Sequence, residues 1–310
     1  MKDLTPIRIG TRGSPLALVQ ANEVRKCLCA NEPLMAKQAI PIIKTIKTTG
    51  DKVLDLPLKD IGGKGLFSKE IDKALLDNQV DLAVHSMKDL ETRIPGGIKL
   101  AAIMEREDPR DVFISQIAAS LDELPLGSII GTSSLRRQAQ ILRRRPDLVV
   151  KPFRGNVQTR IKKLENGEID ATLLALAGLK RLGIANVATE ILDSDIILPA
   201  VAQGAIGITC RANDKIVITR LKALNHKPTW QRIMAERKML AVLDGSCHTP
   251  IGGLAKLGPD GDLILKGVLT NEDGSKFFKA LKTGPAKKAD AIGTDVGKEL
   301  RYLAGPDFLV

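Results

Sequence analysis

Short apolar segments that favour β-strands alternate with longer segments that favour α-helices along the first two-thirds of the chain. Residues 7–11 predict a strand, and Ser14 followed by Pro15 is a typical N-cap and first-turn pair for a helix. Further strands are predicted at residues 39–47 and 81–86, with a helix between them. This order favours a mainly parallel sheet with helices on both faces, and therefore predicts an α/β fold.

The alternation starts again near residue 105, which predicts a second α/β domain of similar size. Residues 196–200 and 205–210 favour strands, and we expect them to return the chain to the first domain. The last part of the chain favours a helix, three antiparallel strands and a final helix. We therefore predict three domains, formed by residues 1–104 with 201–224, by residues 105–200, and by residues 225–310 as a small α+β domain.

The net charge of the chain indicates which kinds of molecule it can bind. A net charge of +11 over 310 residues indicates nucleic acid, a membrane surface or an anionic small molecule. Grooves for single-stranded nucleic acid combine cations with aromatic rings, and aromatic residues make up only 3% of this chain. No apolar run approaches the roughly 20 residues that span a bilayer. An anionic small molecule is therefore expected, with no nucleic acid and no membrane partner.

The cysteines indicate where a reactive group lies. The start of the chain lacks the apolar stretch of a signal peptide, which predicts a cytoplasmic protein without disulfides. Cys27 and Cys29 fall in a predicted helix without a nearby ligand pair, so no metal site is expected. Cys247 lies beside His248 in a Gly-containing loop, and an exposed thiol of this kind is the best candidate nucleophile.

Three predicted strand-to-helix junctions carry arginines. Unpaired N–H groups at the start of a helix favour an anion, and arginine can bind carboxylates through two parallel hydrogen bonds. The first junction, TSSLRR, runs from Thr132 to Arg137, and the alternative for it is a helix cap with exposed arginines. The other two contain Arg12 and Arg154, with Arg160 one turn further on. Loops at the carboxyl ends of strands line the crevice of an open α/β sheet, so we expect the three to converge.

Three further segments leave alternatives open. DLAVHSMKDL predicts a buried strand with Lys88 and Asp89 at its end, where they could pair with each other or where Asp89 could stabilise a cation or move a proton. GGKG lacks the spacing of a phosphate-binding P-loop and predicts a mobile loop with Lys64 as a carboxylate ligand. Residues 143–145 are arginines at a predicted helix end, where we expect a solvated face.

Nine motifs occur in order between residues 7 and 254. They are IRIGTRGSPLALVQA, GGKGLFSKEID, HSMKD, EREDPRD, GTSSLRRQAQ, RGNVQTRIKKL, LALAGLKRLG, LPAVAQGAIGI and GSCHTPIGG. Together they resemble the porphobilinogen deaminase (hydroxymethylbilane synthase) family, and the resemblance fades in the C-terminal strands and helix. It implies a monomer of three domains, the first two similar in fold to type II periplasmic binding proteins.

The resemblance also implies a reaction. Members of the family deaminate porphobilinogen, join four molecules of it head to tail on a dipyrromethane primer, and release linear hydroxymethylbilane by hydrolysis for haem biosynthesis. The primer is a thioether on the cysteine that matches Cys247, and the carboxylate that matches Asp89 stabilises positive charge during coupling. Each pyrrole carries an acetate and a propionate, so the growing chain requires matched cations.

The motifs carry further implied contacts. For the cofactor these are Lys88, Asp89, Thr132, Ser134, Arg136, Arg137, Arg154 and Gly155. For the substrate they are Arg12, Ser14, Lys64, Phe67, Arg154, Arg160, Arg181 and Gln203. The chain departs from many relatives at Asp60, where a lysine is usual, and at Ala202, where a glycine is frequent. A non-catalytic two-domain anion-binding protein or sensor would explain the arginines, but it would not explain the loop that contains Cys247.

Overall fold

The computed structural model describes residues 5–52, 65, 67–244 and 249–309. Lys64 and Cys247, two of the predicted site residues, lie outside this range, and so does Asp60. Within the range, no helix has both the length and the apolar character needed to cross a membrane.

In the first two-thirds of the chain strands and helices alternate only in part, because four strands between residues 82 and 131 follow one another without an α-helix between them. The strands are β1 (Arg8–Thr11), β2 (Ile42–Thr45), β3 (Leu82–Ser86), β4 (Ile98–Ile103), β5 (Asp111–Ser115), β6 (Ile129–Gly131), β7 (Val149–Lys151), β8 (Ala171–Ala175), β9 (Glu190–Ile191), β10 (Ile206–Arg211), β11 (Ile251–Leu257), β12 (Asp262–Thr270) and β13 (Phe277–Pro285). The helices are α1 (Pro15–Asn31), α2 (Pro33–Gln38), α3 (Thr49–Lys52), α4 (Lys69–Leu76), α5 (Leu135–Arg144), α6 (Val157–Glu165), α7 (Leu176–Arg181), α8 (Lys215–Leu221), α9 (Lys227–Val242) and α10 (Ala289–Ala304).

The described residues form two compact units. The first unit contains residues 5–52, 65, 67–106 and 205–230, and the second contains residues 107–204, 231–244 and 249–309. The predicted second and third domains both fall within the second unit, so the division of the chain into three domains stays a prediction.

The first unit is built on a mixed sheet with the order β2-β1-β3-β10-β4. β1 is parallel to β2 and to β3, whereas β10 runs antiparallel to both β3 and β4. Helix α1 packs Val24 and Leu28 against one face of the sheet, where Ile9 and Leu82 are buried. Helix α4 packs on the other face through Ile71 and its neighbours. Helices on both faces explain why the central strands β3 and β10 are buried along nearly their whole length.

The second unit contains a sheet with the same pattern of neighbours, in the order β7-β6-β8-β5-β9. β6 is parallel to β7 and β8, and β5 is antiparallel to β8 and β9. Phe113 and Leu173 are buried on one face and Val112 and Leu174 on the other. The predicted pair of α/β sheets is therefore confirmed.

The second unit also contains the antiparallel sheet β11-β12-β13, as predicted for the C-terminal part of the chain. Helix α10 covers one face of this sheet through Val296 and Leu300, which are fully buried. Gly293 and Gly297 allow α10 to approach α9 closely, because a Cβ atom at Gly293 would lie 2.3 Å from the carbonyl oxygen of Ala235.

The prediction of a strand at residues 196–200 is wrong, because the segment is irregular and Leu198 bonds on both sides to side chains. Leu198 donates its N–H to Oε1 of Gln140 at 2.8 Å and accepts from Nη1 of Arg136 at 2.8 Å. Pro199 has no N–H to donate, and its carbonyl accepts from Gly253 at 2.9 Å. These contacts hold the segment without a strand ladder.

Candidate functional site

The carboxyl ends of the adjacent parallel strands β6, β7 and β8 lie at one edge of the sheet of the second unit. Thr132 and Ser134 follow β6, Arg154 and Gly155 follow β7, and helix α7, which ends at Arg181, follows β8. Two of the three arginine-bearing junctions predicted from the sequence therefore occupy the same edge. The third, with Arg12, belongs to the first unit.

Short polar contacts fix the shape of these junctions. Asn156 caps α6 by accepting the N–H of Thr159 at 2.8 Å, as predicted. Gly155 has a φ of 128°, and a Cβ atom there would lie 2.9 Å from Thr159, so the turn requires glycine. The hydroxyl of Ser133 accepts the N–H of Phe153 at 2.9 Å and joins the β6 junction to the β7 junction. This role of Ser133 was not predicted from the sequence.

Arg136 and Arg137, at the start of α5, are buried around a carboxylate that the sequence analysis also missed. Nη1 of Arg136 lies 2.8 Å from Oδ2 of Asp111, and Nη2 of Arg137 lies 2.8 Å from Oδ1. The two arginine side chains are only 5% and 6% exposed, and that of Asp111 is fully buried. Burial alone would raise the pKa of Asp111, but the charges of both arginines outweigh it and hold that pKa well below its usual range. The alternative of exposed arginines is therefore wrong for this pair.

Arg160 adds a further cation. Its Nε donates to the carbonyl of Gly155 at 3.0 Å, and its side chain forms no ion pair with any described residue. Burial, together with the charges of Arg137 and Arg154, lowers the pKa of Arg160 to about 10. Like charges that are desolvated together favour an anion that neutralises them. The edge of the sheet is thus poised for a ligand with several carboxylates.

Two predicted substrate contacts of the second unit are bonded within the protein. Nε2 of Gln203 donates to the carbonyl of Pro109 at 2.7 Å and to Oδ1 of Asp111 at 2.8 Å, and the residue is 1% exposed. Nη2 of Arg181 donates to the carbonyl of Gly204 at 3.1 Å. Their contact with substrate stays a prediction.

In the first unit, the carboxyl ends of β1 and β3 lie at the same edge of the sheet because the two strands are parallel neighbours. Asp89 ends a 3₁₀ turn that directly follows β3. Its half-buried carboxylate makes no hydrogen bond or ion pair with another described residue. The alternative in which Asp89 pairs with Lys88 is therefore not observed. Asp89 keeps its hydrogen-bonding capacity for a ligand.

The β1 junction brings two of the predicted substrate contacts together. The guanidinium of Arg12 stacks over the ring of Phe67, 4.1 Å from the ring centre. The hydroxyl of Ser14 caps α1 by accepting the N–H of Ala17 at 3.3 Å, as the Ser-Pro pair predicts. Nε2 of Gln20 donates to the hydroxyl of Ser86 at 2.9 Å, which ties α1 to the end of β3.

The arginines at residues 143–145 are not simply solvated. Arg145 donates to the carbonyls of Leu121 and Leu124, and its side chain is 14% exposed. Arg143 stacks over Phe277 at 4.3 Å. Arg143 and Arg144 are exposed, as expected for a solvated face, whereas the expectation is corrected for Arg145, because the loop before β6 presents carbonyls that its guanidinium can satisfy.

Two of the described cysteines, Cys27 and Cys210, are poor nucleophiles. Burial raises the pKa of Cys210 to about 11, and burial with the charge of Glu23 raises that of Cys27. Among the described residues, no group of His, Cys, Asp and Glu side chains is arranged to hold a metal ion.

The fold and these contacts define a mixed α/β protein with a cluster of arginines at the carboxyl edge of the sheet of its second unit. Residues 7–219 match the family model described as "Porphobilinogen deaminase, dipyromethane cofactor binding domain", and residues 230–302 match "Porphobilinogen deaminase, C-terminal domain". The chain belongs to the porphobilinogen deaminase family.

Named relatives agree over nearly the whole chain. A chloroplastic porphobilinogen deaminase of Oryza sativa subsp. japonica is 53% identical over 97% of this chain and 85% of its own length. The porphobilinogen deaminase of Paracoccus denitrificans is 53% identical over 98% of this chain and 96% of its own length. Among solved structures, the methionine-binding protein MetQ matches 77% of this chain and 94% of its own at 14% identity, with a TM-score of 0.44. That score is too low to support an inference about fold or ligand.

The second unit fits the dipyrromethane group that the family model names. Nε of Arg136 and Nε of Arg137 are buried and make no hydrogen bond within the described part of the chain. Asp111 neutralises only one of the two guanidinium charges. Buried donors without acceptors and a surplus of positive charge suit the carboxylates of such a group.

Proposed function

We propose that the chain is a transferase that deaminates four porphobilinogen molecules, joins them head to tail on an enzyme-bound dipyrromethane and releases linear hydroxymethylbilane. The observation that carries this proposal is the cluster of Arg137, Arg154 and Arg160, in which burial and like charge lower the pKa of Arg160 to about 10. Such a cluster is unfavourable without an anion, and every pyrrole of the substrate and product supplies two carboxylates.

The cofactor would be held by Cys247 and by residues of the family motifs. Its covalent attachment is assigned to Cys247, and its carboxylates and ring nitrogens to Lys88, Asp89, Thr132, Ser134, Arg136, Arg137, Arg154 and Gly155. When bound, the dipyrromethane supplies the pyrrole carbon to which the first incoming unit is joined. Arginine suits this task because its planar fork matches a carboxylate in charge and in geometry.

Asp89 would act on the reacting pyrroles. Loss of ammonia from porphobilinogen leaves a cationic carbon, and a nearby carboxylate stabilises that charge. The same carboxylate can accept the proton that the ring loses after coupling. We assign incoming substrate to Arg12, Ser14, Lys64, Phe67, Arg154, Arg160, Arg181 and Gln203.

We also propose the binding partner, the cellular location and the oligomeric state of the enzyme. Porphobilinogen is the expected partner, with no nucleic acid and no membrane, and we propose a cytoplasmic monomer of three domains. Size-exclusion chromatography with light scattering tests the oligomeric state.

Two measurements test the activity. The intact mass of the purified protein should exceed the sequence mass by one dipyrromethane, and acidic Ehrlich reagent should colour the protein. Porphobilinogen should then be consumed with release of hydroxymethylbilane. A protein without the mass increment and without turnover, but with bound polycarboxylate, would instead be the non-catalytic anion-binding protein.

A further inference from the structure

Asp111 occupies a central place among the arginines of the second unit. It is the first residue of β5 and is 0% exposed. We propose that Asp111 is a positioning residue, which holds Arg136 and Arg137 in the orientation that binds the carboxylates of the pyrrole chain. This inference rests on the proposed function, and it concerns a residue that would not itself touch the ligand.

The hydrogen bonds around Asp111 leave the two guanidiniums little freedom. Nη1 of Arg136 also donates to the carbonyl of Leu198 at 2.8 Å. Nη1 of Arg137 donates to the carbonyl of Leu173 at 2.8 Å, while its Nη2 donates to Asp111. Each arginine is therefore fixed through its terminal nitrogens. Nε of each is buried and makes no hydrogen bond within the described residues, so both arginines keep unused donor capacity.

Gln203 fixes the carboxylate in turn. Its Nε2 donates to Oδ1 of Asp111 at 2.8 Å and to the carbonyl of Pro109 at 2.7 Å. Asp111 thus receives hydrogen bonds or ion pairs from three side chains, and its orientation is determined from several directions. A group fixed in this way can set the geometry of the arginines that it contacts.

Charge explains why a carboxylate is suited to this position. Two guanidiniums buried side by side repel each other, and one carboxylate between them relieves that repulsion. Because Asp111 balances only one of the two charges, positive charge remains for an anionic ligand. An apolar residue would not allow the two arginines to be buried together, and a second carboxylate would cancel the charge that the ligand requires.

The first unit offers a matched control. Asp81, directly before β3, also contacts two arginines, with Oδ1 at 2.7 Å from Nη2 of Arg8 and 3.2 Å from Nη2 of Arg211. Its side chain is 17% exposed, and the proposed ligand contacts include neither arginine. Asp81→Asn therefore reproduces the loss of a carboxylate between two arginines at a place where only stability is at stake.

The experiment compares full-length Asp111→Asn and Asp81→Asn with the parent protein. Intact mass gives the fraction with dipyrromethane, thermal unfolding gives stability, and steady-state kinetics give KM and kcat for porphobilinogen. Only a minor fraction of the Asp111→Asn molecules should carry the cofactor. In that fraction KM should be raised by about 10- to 100-fold, as expected on losing a group that orients a ligand-binding residue. Asp81→Asn should lose stability but keep full loading and a KM within about twofold of the parent value.

A second variant covers a failure of Asp111→Asn to fold. Asp111→Glu keeps the charge but moves the carboxylate by one methylene, so it should fold, load cofactor and still raise KM. Full loading and unchanged KM in Asp111→Glu, or in a folded Asp111→Asn, would overturn the proposal even if stability fell. If the parent protein itself lacked both the mass increment and turnover, the proposed function would fail, and the two failures are therefore distinguishable.

Discussion

Glu236, in helix α9, accepts the backbone N–H of Ala202 at 2.6 Å. Its other carboxylate oxygen accepts the N–H of Ala255 in β11 at 2.7 Å, and the residue is fully buried. Ala202 has a φ of 62°, a conformation that favours glycine. One carboxylate thus joins the segment before Gln203 to the antiparallel sheet of the second unit.

Replacement of Glu236 should destabilise the protein. Glu236→Gln removes one of two buried acceptors, and a buried N–H left without a partner costs about 1–3 kcal/mol. Urea denaturation should show this loss. Glu299→Gln is the control, because Glu299 forms an exposed ion pair with Lys282 and its loss should cost at most about 1 kcal/mol. Equal stability of the two variants would contradict the role given to Glu236.

Cys247→Ala should abolish both the dipyrromethane mass increment and turnover. The thiols of Cys210 and Cys27 have raised pKa values and form thiolates poorly, so they cannot replace it. Cys29→Ala should keep the increment. Intact mass spectrometry measures the increment in each variant, and an adduct that persists in Cys247→Ala would refute the assignment.

Asp89→Asn should fold and carry cofactor but lose at least about 10²-fold in kcat, the usual effect of removing a preorganised electrostatic group. Asp89 makes no hydrogen bond or ion pair with the described residues. The substitution therefore removes its charge without removing a contact to any of them. Kinetics on the loaded variant, with its mass and thermal unfolding as controls, test this. Near-normal turnover would remove Asp89 from the chemistry.

Arg160→Leu should stabilise the ligand-free protein while weakening binding of the pyrrole chain. The pKa of Arg160 in the folded protein, about 10, lies below the ordinary value of 12.5, so the folded state disfavours its charge. This cost is present at neutral pH and declines only as the pH rises through about 10. Removing the charge should therefore gain about 1–2 kcal/mol, given 1.36 kcal/mol per pKa unit and some loss of packing. Thermal unfolding at pH 7 of cofactor-free Arg160→Leu and of the cofactor-free parent measures it, and a destabilised variant would contradict the expectation.

Different arginines should be required at different lengths of the growing pyrrole chain. Replacing Arg136 or Arg137 by Leu should leave protein without cofactor, whereas replacing Arg12, Arg154 or Arg160 should give loaded enzyme that stalls after one, two or three added units. Substitution by Lys keeps the charge but loses the two parallel hydrogen bonds, so each Lys variant should be milder than the Leu variant yet still impaired. Mass spectra after limited porphobilinogen give the distribution, and identical distributions in all variants would reduce the arginines to a diffuse positive field.

For Arg136 and Arg137, the Lys variants also separate binding from folding. Leu at either position leaves Asp111 with one fewer partner, and breaking a buried ion pair costs about 3–5 kcal/mol. Lys at either position keeps the positive charge that pairs with Asp111. Loss of cofactor in a folded Arg137→Lys would therefore report on binding geometry.

Much of the fold followed from local pattern. The Ser14-Pro15 start of α1, the Asn156 cap of α6 and the apolar strands of both five-stranded sheets are set by residues that are neighbours in sequence. The motifs likewise determined the family, because they occur in order along most of the chain. Residues 196–200 favoured a strand by composition, yet their hydrogen bonds go to Gln140 and Arg136, which local pattern does not reveal.

Only the tertiary structure decided which charges meet. Arg136 and Arg137 are adjacent in sequence to hydroxyls that suggest an exposed anion site, but the fold buries both against Asp111, which lies 25 residues before Arg136. The tertiary structure also decides the surroundings of Arg160, because burial and the charges of Arg137 and Arg154 lower its pKa. Sequence determines the type and the order of ionisable groups, whereas their pKa values and partners depend on distance and burial across elements that are remote along the chain.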